Sequence, residues 1–119
     1  MSGFLAQQKL VFEGSSQAMY VYLDDECRAC NQKFASLLGY DSPEDWSEVD
    51  VDGMFPRTFV DPKSQQTLVS AYQRAMEKMA ASTIKVAWKK KSGGTVETTV
   101  ILVPFVYEGH LLALHFVSE

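Results

Sequence analysis

The stretch CRACNQKFASLLGY, residues 27–40, decides between two kinds of local structure. Cys27 and Cys30 have the C-x-x-C spacing that occurs in redox and zinc sites. The residues that follow have the pattern of a short helix, because Asn31 is a good N-cap and Gly39 is a good terminator. The apolar positions between them, which recur on one helical face, are Phe34, Leu37 and Leu38. The segment therefore predicts a short capped helix and leaves the cysteine pair to be explained.

Strand and helix patterns flank this segment on both sides. Residues 18–30 contain two short apolar runs around a polar turn, which predicts a β-hairpin. After the segment, Ser42 and Pro43 predict the start of a short helix, and Asp61 and Pro62 predict the start of the longest one. The apolar face predicted for the longest helix consists of Leu68, Val69, Tyr72, Ala75, Met76 and Met79.

From Thr83 onward the apolar pattern has the period of β-strands. The runs TIKVAW, VETTVILVPFVY and LLALHFV, separated by turn residues, predict three antiparallel strands. In the middle run both faces are apolar from Val100 to Phe105. One face is therefore predicted to meet the core, and the other is predicted to be covered by the N-terminal helix or by a partner chain.

The beginning of the chain predicts an amphipathic helix over residues 3–13, within an N-terminal segment 1–14 that precedes one domain over residues 15–119. We expect its apolar stripe and the outer face of the sheet to form a homodimer interface. The interface residues expected are Phe4, Leu5, Val11, Phe12, Ile101, Val103 and Phe105.

Composition limits the classes of function. The chain has 119 residues, of which 46% are hydrophobic and 22% are charged, which is typical of one globular domain. The longest apolar run is too short for a membrane helix, and the net charge of −4 disfavours binding to nucleic acid. We therefore expect a cytoplasmic protein without membrane insertion and without a nucleic-acid partner.

The predicted order of helices and strands is an α+β pattern. Three segments, in this order along the chain, indicate the family to which it corresponds. NQKFASLLGY (residues 31–40), FVDP (59–62) and WKKKSGGTVETTV (88–100) resemble corresponding segments of the PAS family of sensory domains, and the resemblance extends from about Gln17 to Val117. It implies a five-stranded antiparallel sheet in the order 2-1-5-4-3, with helices packed on one face around a ligand cavity.

The resemblance also bears on the cysteine pair. If residues 27–31 are extended, Cys27 and Cys30 point to opposite faces, because side chains alternate along a strand. A redox pair would instead begin a helix, and a structural zinc site would need two more soft ligands that the chain lacks. We interpret the pair as one buried and one exposed thiol, and we expect no metal site.

Members of the PAS family carry haem, flavin, small acids or no ligand, so the cofactor is unknown from the resemblance alone. Photosensory LOV members have a reactive Cys in an Asn-Cys-Arg-Phe motif, but residues 50–59 contain no Cys. Haem-binding members commonly use a His on the long helix, and residues 62–80 contain none. Haem and LOV-type flavin are therefore disfavoured. His110 is interpreted as a solvated turn residue, and His115 as a sheet-surface or satisfied core residue.

The family fold implies which side chains surround the space between helices and sheet. The candidates for ligand contact are Phe34, Leu38, Met54, Phe55, Phe59, Val69, Tyr72, Met76, Val86 and Trp88. Tyr20, Tyr72 and Thr98 are the candidates for hydroxyl groups that point inward. The alternative is that the same side chains simply fill the core.

We expect no enzymatic activity, because the sequence contains no Ser/His/Asp pattern and no phosphate-binding loop, and no residue is proposed as catalytic. The resemblance implies a sensory or regulatory PAS domain of a signal-transduction protein, with a small-molecule ligand in its cavity and an effector domain in a longer parent protein. The alternative is a ligand-free module for protein interaction and dimerisation.

Overall fold

The computed structural model describes residues 17–24, 27–49, 55–107 and 109–119. The elements in chain order are β1 (Ala18–Asp24), β2 (Cys27–Cys30), α1 (Gln32–Leu37), α2 (Pro43–Ser47), α3 (Phe55–Phe59), α4 (Pro62–Lys78), β3 (Ser82–Lys89), β4 (Thr95–Tyr107) and β5 (His110–Ser118). The strands form one antiparallel sheet in the order β2-β1-β5-β4-β3, which confirms the predicted topology. The helix predicted over residues 3–13 lies outside the described residues.

The sheet has two apolar faces. One face packs against the helices and carries the main core, which includes Tyr20, Val100 and Val117. The opposite face carries a second cluster, here called the outer cluster, formed by Met19, Val21, Leu112, Phe105, Leu114 and Phe116. Alternation of side chains along β1, β4 and β5 produces this division, so the prediction of two apolar faces on β4 is confirmed.

The predicted helix caps are present. The Ser42 hydroxyl accepts a hydrogen bond from the Asp45 N–H at 3.0 Å, and the Asp61 carboxylate accepts one from the Lys63 N–H at 3.2 Å. Gly39 follows α1 with a φ of 88°, a conformation that glycine adopts without steric cost. None of the helices in the described part of the chain is long and apolar enough to cross a membrane.

Two hydrogen bonds hold the beginning of α4 against the edge strand β3. The Asp61 N–H donates to the Ala87 carbonyl at 2.8 Å, and the Ala87 N–H donates to the Ser64 hydroxyl at 3.0 Å. These bonds fix the N-terminal end of α4 to β3, close to the point where α3 ends. This position determines the space between α3, α4 and the sheet.

Two features of the helices differ from the sequence-based expectations. Met79 was expected on the buried face of the long helix, but α4 ends at Lys78 and Met79 follows it with a left-handed φ of 51° and 53% exposure. Because the helix ends one residue before Met79, Met79 does not continue the helical face that packs against the core. The helix α3 was not predicted, because its five residues are too few to show a helical period.

Asn31 joins three segments of the chain. Its side-chain oxygen accepts hydrogen bonds from the Phe34 N–H at 3.0 Å and from the Met19 N–H at 3.1 Å. Its amide group donates to the Gln17 carbonyl at 2.7 Å. The bonds from the Met19 and Phe34 N–H groups are buried, so these two groups would lose their partner if the side chain were removed. The predicted cap is thus confirmed, and the same side chain also fixes the start of β1.

We predict that Asn31→Ala lowers the free energy of unfolding by about 2–4 kcal/mol, because it leaves buried backbone groups unpaired in addition to removing the cap. Asn31→Asp should fall between Asn31→Ala and the wild type, since it keeps the acceptor and loses the amide donor. Ser42→Ala is the matched control and should cost only about 0.5–1 kcal/mol. Urea melts measure these changes, and equal losses for Asn31→Ala and Ser42→Ala would show that Asn31 acts as a cap alone.

Candidate ligand-binding cavity

A cavity of about 280 Å³ lies between α3, α4 and the inner face of the sheet. The strands supply its floor, and the two helices supply its walls. The lining residues are Tyr20, Tyr22, Phe55, Pro56, Leu68, Val69, Tyr72, Gln73 and His115. Gln73 is exposed, so the cavity reaches the surface along α4.

Tyr20 lies at the centre of the aromatic core and borders the cavity. Its ring centroid is 4.9 Å from that of Phe34 on α1 and 5.9 Å from that of Trp46 on α2. The Phe55 ring of α3 lies at 5.7 Å, and the Trp88 ring of β3 meets it edge-on at 5.4 Å. One side chain of β1 therefore contacts aromatic rings from three helices and from the edge strand β3.

His115 stacks directly on Tyr20. The two residues are paired across β1 and β5, and their rings are nearly parallel, at 9°, with centroids 3.9 Å apart. His115 is 2% exposed, and burial lowers its pKa from 6.5 to about 3, because a buried imidazolium would lose its hydration. Burial also raises the pKa of Tyr20. Both side chains are thus uncharged at neutral pH.

Tyr20 and His115 each carry a fully buried polar atom without a hydrogen-bond partner among the described residues, and these atoms are the Tyr20 hydroxyl oxygen and His115 Nδ1. A buried polar group without a partner costs free energy, and each such group in a native protein calls for an explanation. His115 lies in the core, which is one of the two places expected for it, and its Nδ1 has no hydrogen-bond partner among the described residues. In the sequence, only the presence of a polar residue within an apolar strand could have indicated this unpaired nitrogen in the core.

The residues proposed for ligand contact divide into two groups. Phe55, Val69 and Tyr72 line the cavity. The others that the structure describes belong to the packed core or lie against it, and these are Phe34, Leu38, Phe59, Met76, Val86 and Trp88. Met54 lies outside the described residues. The remaining lining residues were absent from the predicted contact set, and these are Tyr20, Tyr22, Pro56, Leu68, Gln73 and His115.

The hydroxyl groups predicted to point inward differ in their partners. Thr98 is fully engaged, because its hydroxyl donates to the Val86 carbonyl at 3.0 Å and accepts from the Trp88 indole N–H at 2.9 Å. Tyr20 has the unpaired hydroxyl described above. This hydroxyl is fully buried, so it does not face a ligand in the cavity, whereas Tyr72 is one of the lining residues.

The other sequence-based interpretations can be located as well. Cys30 is buried with a free thiol, and burial raises its pKa, so this thiol is unreactive at neutral pH. The side chain of Cys27 lies outside the described part. His110 is exposed, as expected, but it is the first residue of β5 and not part of the turn. Within the described ranges no three His, Cys, Asp or Glu side chains are grouped closely enough to hold a metal ion.

Comparison with known proteins identifies the family. The family model for the PAS domain matches residues 6–73, which is more than half of the 119-residue chain. The chain belongs to the PAS domain family. No curated protein is significantly similar to it in sequence.

Solved PAS domains have the same fold at low sequence identity. A PAS domain from Colwellia psychrerythraea is 20% identical with a TM-score of 0.72, over 98% of this chain and 96% of that chain. A PAS domain of a two-component sensor histidine kinase is 14% identical with a TM-score of 0.70, over 99% and 96%. The PAS domain of an HTR-like protein from Haloarcula marismortui is 21% identical with a TM-score of 0.65, over 98% and 91%. At such identities the likeness establishes the fold.

The buried histidine should make the stability of this PAS domain depend on pH. The unfolded chain protonates His115 near pH 6.5, whereas the folded chain keeps it neutral down to about pH 3. Unfolding therefore takes up a proton in this window, and the free energy of unfolding should fall by about 2 kcal/mol from pH 7 to pH 5 because of His115. Urea melts of wild type and His115→Leu at the two pH values measure this contribution.

His115→Leu should remove that part of the pH dependence, whatever its effect on stability at pH 7. His110→Leu is the control and should keep it, because His110 is exposed. An identical pH dependence in the wild type and His115→Leu would contradict the assignment of a neutral, buried His115.

Proposed function

We propose that this PAS domain is a sensory or regulatory module of a signal-transduction protein and that it binds a small molecule in the cavity between helices and sheet. The observation that carries the proposal is the cavity of about 280 Å³ between α3, α4 and the sheet, whose described lining is mostly aromatic and aliphatic and includes the polar side chains of Tyr22, Tyr72 and Gln73. Ligand sites commonly combine apolar walls with a few polar groups that orient the ligand.

Tyr20 and His115 also give a route from the ligand to the rest of the domain. They belong to β1 and β5, which are adjacent strands of the sheet. Their sequence neighbours Val21 and Leu114 lie opposite each other on the outer face. A ligand that shifts either ring therefore acts directly on strands whose other face can bind a further domain or chain.

The proposed role is binding and not catalysis, and the proposed setting is a longer cytoplasmic protein with an effector domain. The described lining contains one histidine, no cysteine and no carboxylate, which supports binding over acid–base chemistry. The PAS domain of a sensor histidine kinase among the similar structures supports a longer signalling protein.

The second candidate is a module for dimerisation, favoured by the outer face of the sheet. Ile101 is 45% exposed there and lies opposite Phe116 of the outer cluster. Val103 and Phe105 of β4 are partly exposed on the same face. An apolar strand surface of this kind is typical of a protein interface. The two roles are compatible, because the cavity and this surface lie on opposite faces of one sheet.

We predict that indole, a small uncharged aromatic probe, binds in the cavity at millimolar concentration or below, and that Val69→Trp abolishes this binding. Val69 lines the cavity, so a larger side chain there fills the space, whereas Thr67→Trp on the exposed side of α4 should leave binding intact. Chemical-shift titration of the amide signals measures both. Absence of indole binding to the wild type, or equal binding to Val69→Trp, would contradict a cavity site.

We predict that the purified chain is a dimer and that Ile101→Lys shifts it to the monomer, because the new charge would be buried at the interface. Thr67→Lys is the control on the helical side and should leave the dimer unchanged. Sedimentation equilibrium over a wide concentration range measures the association. A wild-type chain that remains monomeric at high concentration would remove the outer face from the proposal.

A further inference from the structure

The side chain of Gln17 joins the beginning of β1 to the end of β5. Its amide group donates one hydrogen bond to the Val117 carbonyl at 2.6 Å and another to the Ser118 hydroxyl at 3.0 Å. The Gln17 carbonyl in turn accepts the bond from the Asn31 amide group at 2.7 Å. Gln17 and Asn31, here called the clasp, therefore connect the start of α1 and both strand ends in one series of hydrogen bonds.

A cleft of about 170 Å³ lies between α1 and the two strand ends. Lys33 and Leu37 line it on the side of α1, whereas Ala18 and Val117 line it on the side of the sheet. Side chains therefore do not fill the space between α1 and the sheet at this corner of the domain. The hydrogen bonds of the clasp consequently carry a larger share of the attachment here.

The clasp lies next to the cavity along the sheet. Ala18 pairs with Val117, and Tyr20 pairs with His115 two residues further along the same strands. Side chains alternate along a strand, so all four point to the inner face of the sheet. Tyr20 and His115 line the cavity, and Ala18, Tyr20 and Val117 belong to the main core. The strand ends and the floor of the cavity thus share one packed unit.

Strand ends commonly open by themselves at low cost, because few contacts hold them. The clasp opposes such separate opening. Val117 cannot leave β1 without breaking the bond from Gln17, and Gln17 is itself held through Asn31. With the ends fastened in this way, the main route by which they open is the opening of the whole unit, which includes Tyr20 and His115.

We propose that the clasp makes the strand ends and the cavity open as one unit, so that a ligand in the cavity also holds the beginning of β1 against the end of β5. The clasp is thus a conformational device that transmits ligand binding to the positions where the chain enters and leaves the sheet. This coupling rests on the proposed function of ligand binding in the cavity. It adds the residues through which binding is transmitted.

Amide hydrogen exchange of the full chain, with indole as the probe, tests the coupling. The dissociation constant of indole comes from the chemical-shift titration described above. At tenfold that concentration, exchange at the Ala18 and Val117 amides should slow about tenfold, because a ligand that binds only the closed unit suppresses its opening by the factor 1 + [L]/Kd. The Gly93 amide, which donates to the Lys90 carbonyl between β3 and β4, is the internal control and should exchange at an unchanged rate.

Gln17→Leu tests the clasp itself. Without indole, exchange at the Ala18 and Val117 amides should be at least about fivefold faster than in the wild type, which is the effect of losing one ordinary hydrogen bond. With indole at the same multiple of its dissociation constant, exchange should slow by less than about twofold, since the ends now open without the cavity. Gln65→Leu is the matched control, because the Gln65 amide group also donates to a backbone carbonyl, that of Val60, at 3.0 Å. It should leave both results unchanged.

The outcomes separate this inference from the proposed function. If indole binds but exchange at the Ala18 and Val117 amides is the same with and without it, the coupling is overturned while the cavity site stands. The inference is also overturned if Gln17→Leu leaves their exchange unchanged, or if indole slows exchange in this variant as strongly as in the wild type. If indole does not bind, the proposed function fails and the coupling fails with it.

Discussion

The stacking of Tyr20 on His115 is the interaction on which both the core and the cavity depend. It joins the neighbouring strands β1 and β5, and the same tyrosine ring contacts Phe34, Trp46 and Phe55 from the helices. Aromatic pairs of this kind contribute about 0.5–1.5 kcal/mol each beyond the area that they bury. The ring that organises the core therefore also determines where the cavity begins.

This arrangement stabilises the fold through the rings and destabilises it through their polar atoms. An unpaired buried hydroxyl or imidazole nitrogen costs about 1–3 kcal/mol. Phenylalanine at position 20 would supply the same ring without that cost, so packing alone does not explain the tyrosine.

The elements defined by local chemistry could be predicted from the sequence. Asn31, Ser42 and Asp61 accept hydrogen bonds from nearby N–H groups, so their capping roles depend only on residues a few positions away. The division between core and cavity could not be predicted in this way. Phe34 and Phe55 are chemically alike, but the first is enclosed by the packed core and the second borders the cavity, because α3 and α4 leave a space there. The exposure of Met79 likewise depends on where α4 ends, which its apolar spacing does not reveal.

The nitrogen chemical shifts of His115 test the central claim most directly, because they report the protonation and the surroundings of a buried ring that stacks on Tyr20 and lines the cavity. In the ligand-free protein the account predicts a neutral imidazole at pH 7 with no strong hydrogen bond at Nδ1. Addition of indole should shift the His115 nitrogen signals in a saturable way, because His115 lines the cavity, and leave those of exposed His110 unchanged. Unchanged His115 signals at concentrations that saturate the amide shifts of Tyr72 and Val69 would contradict the account.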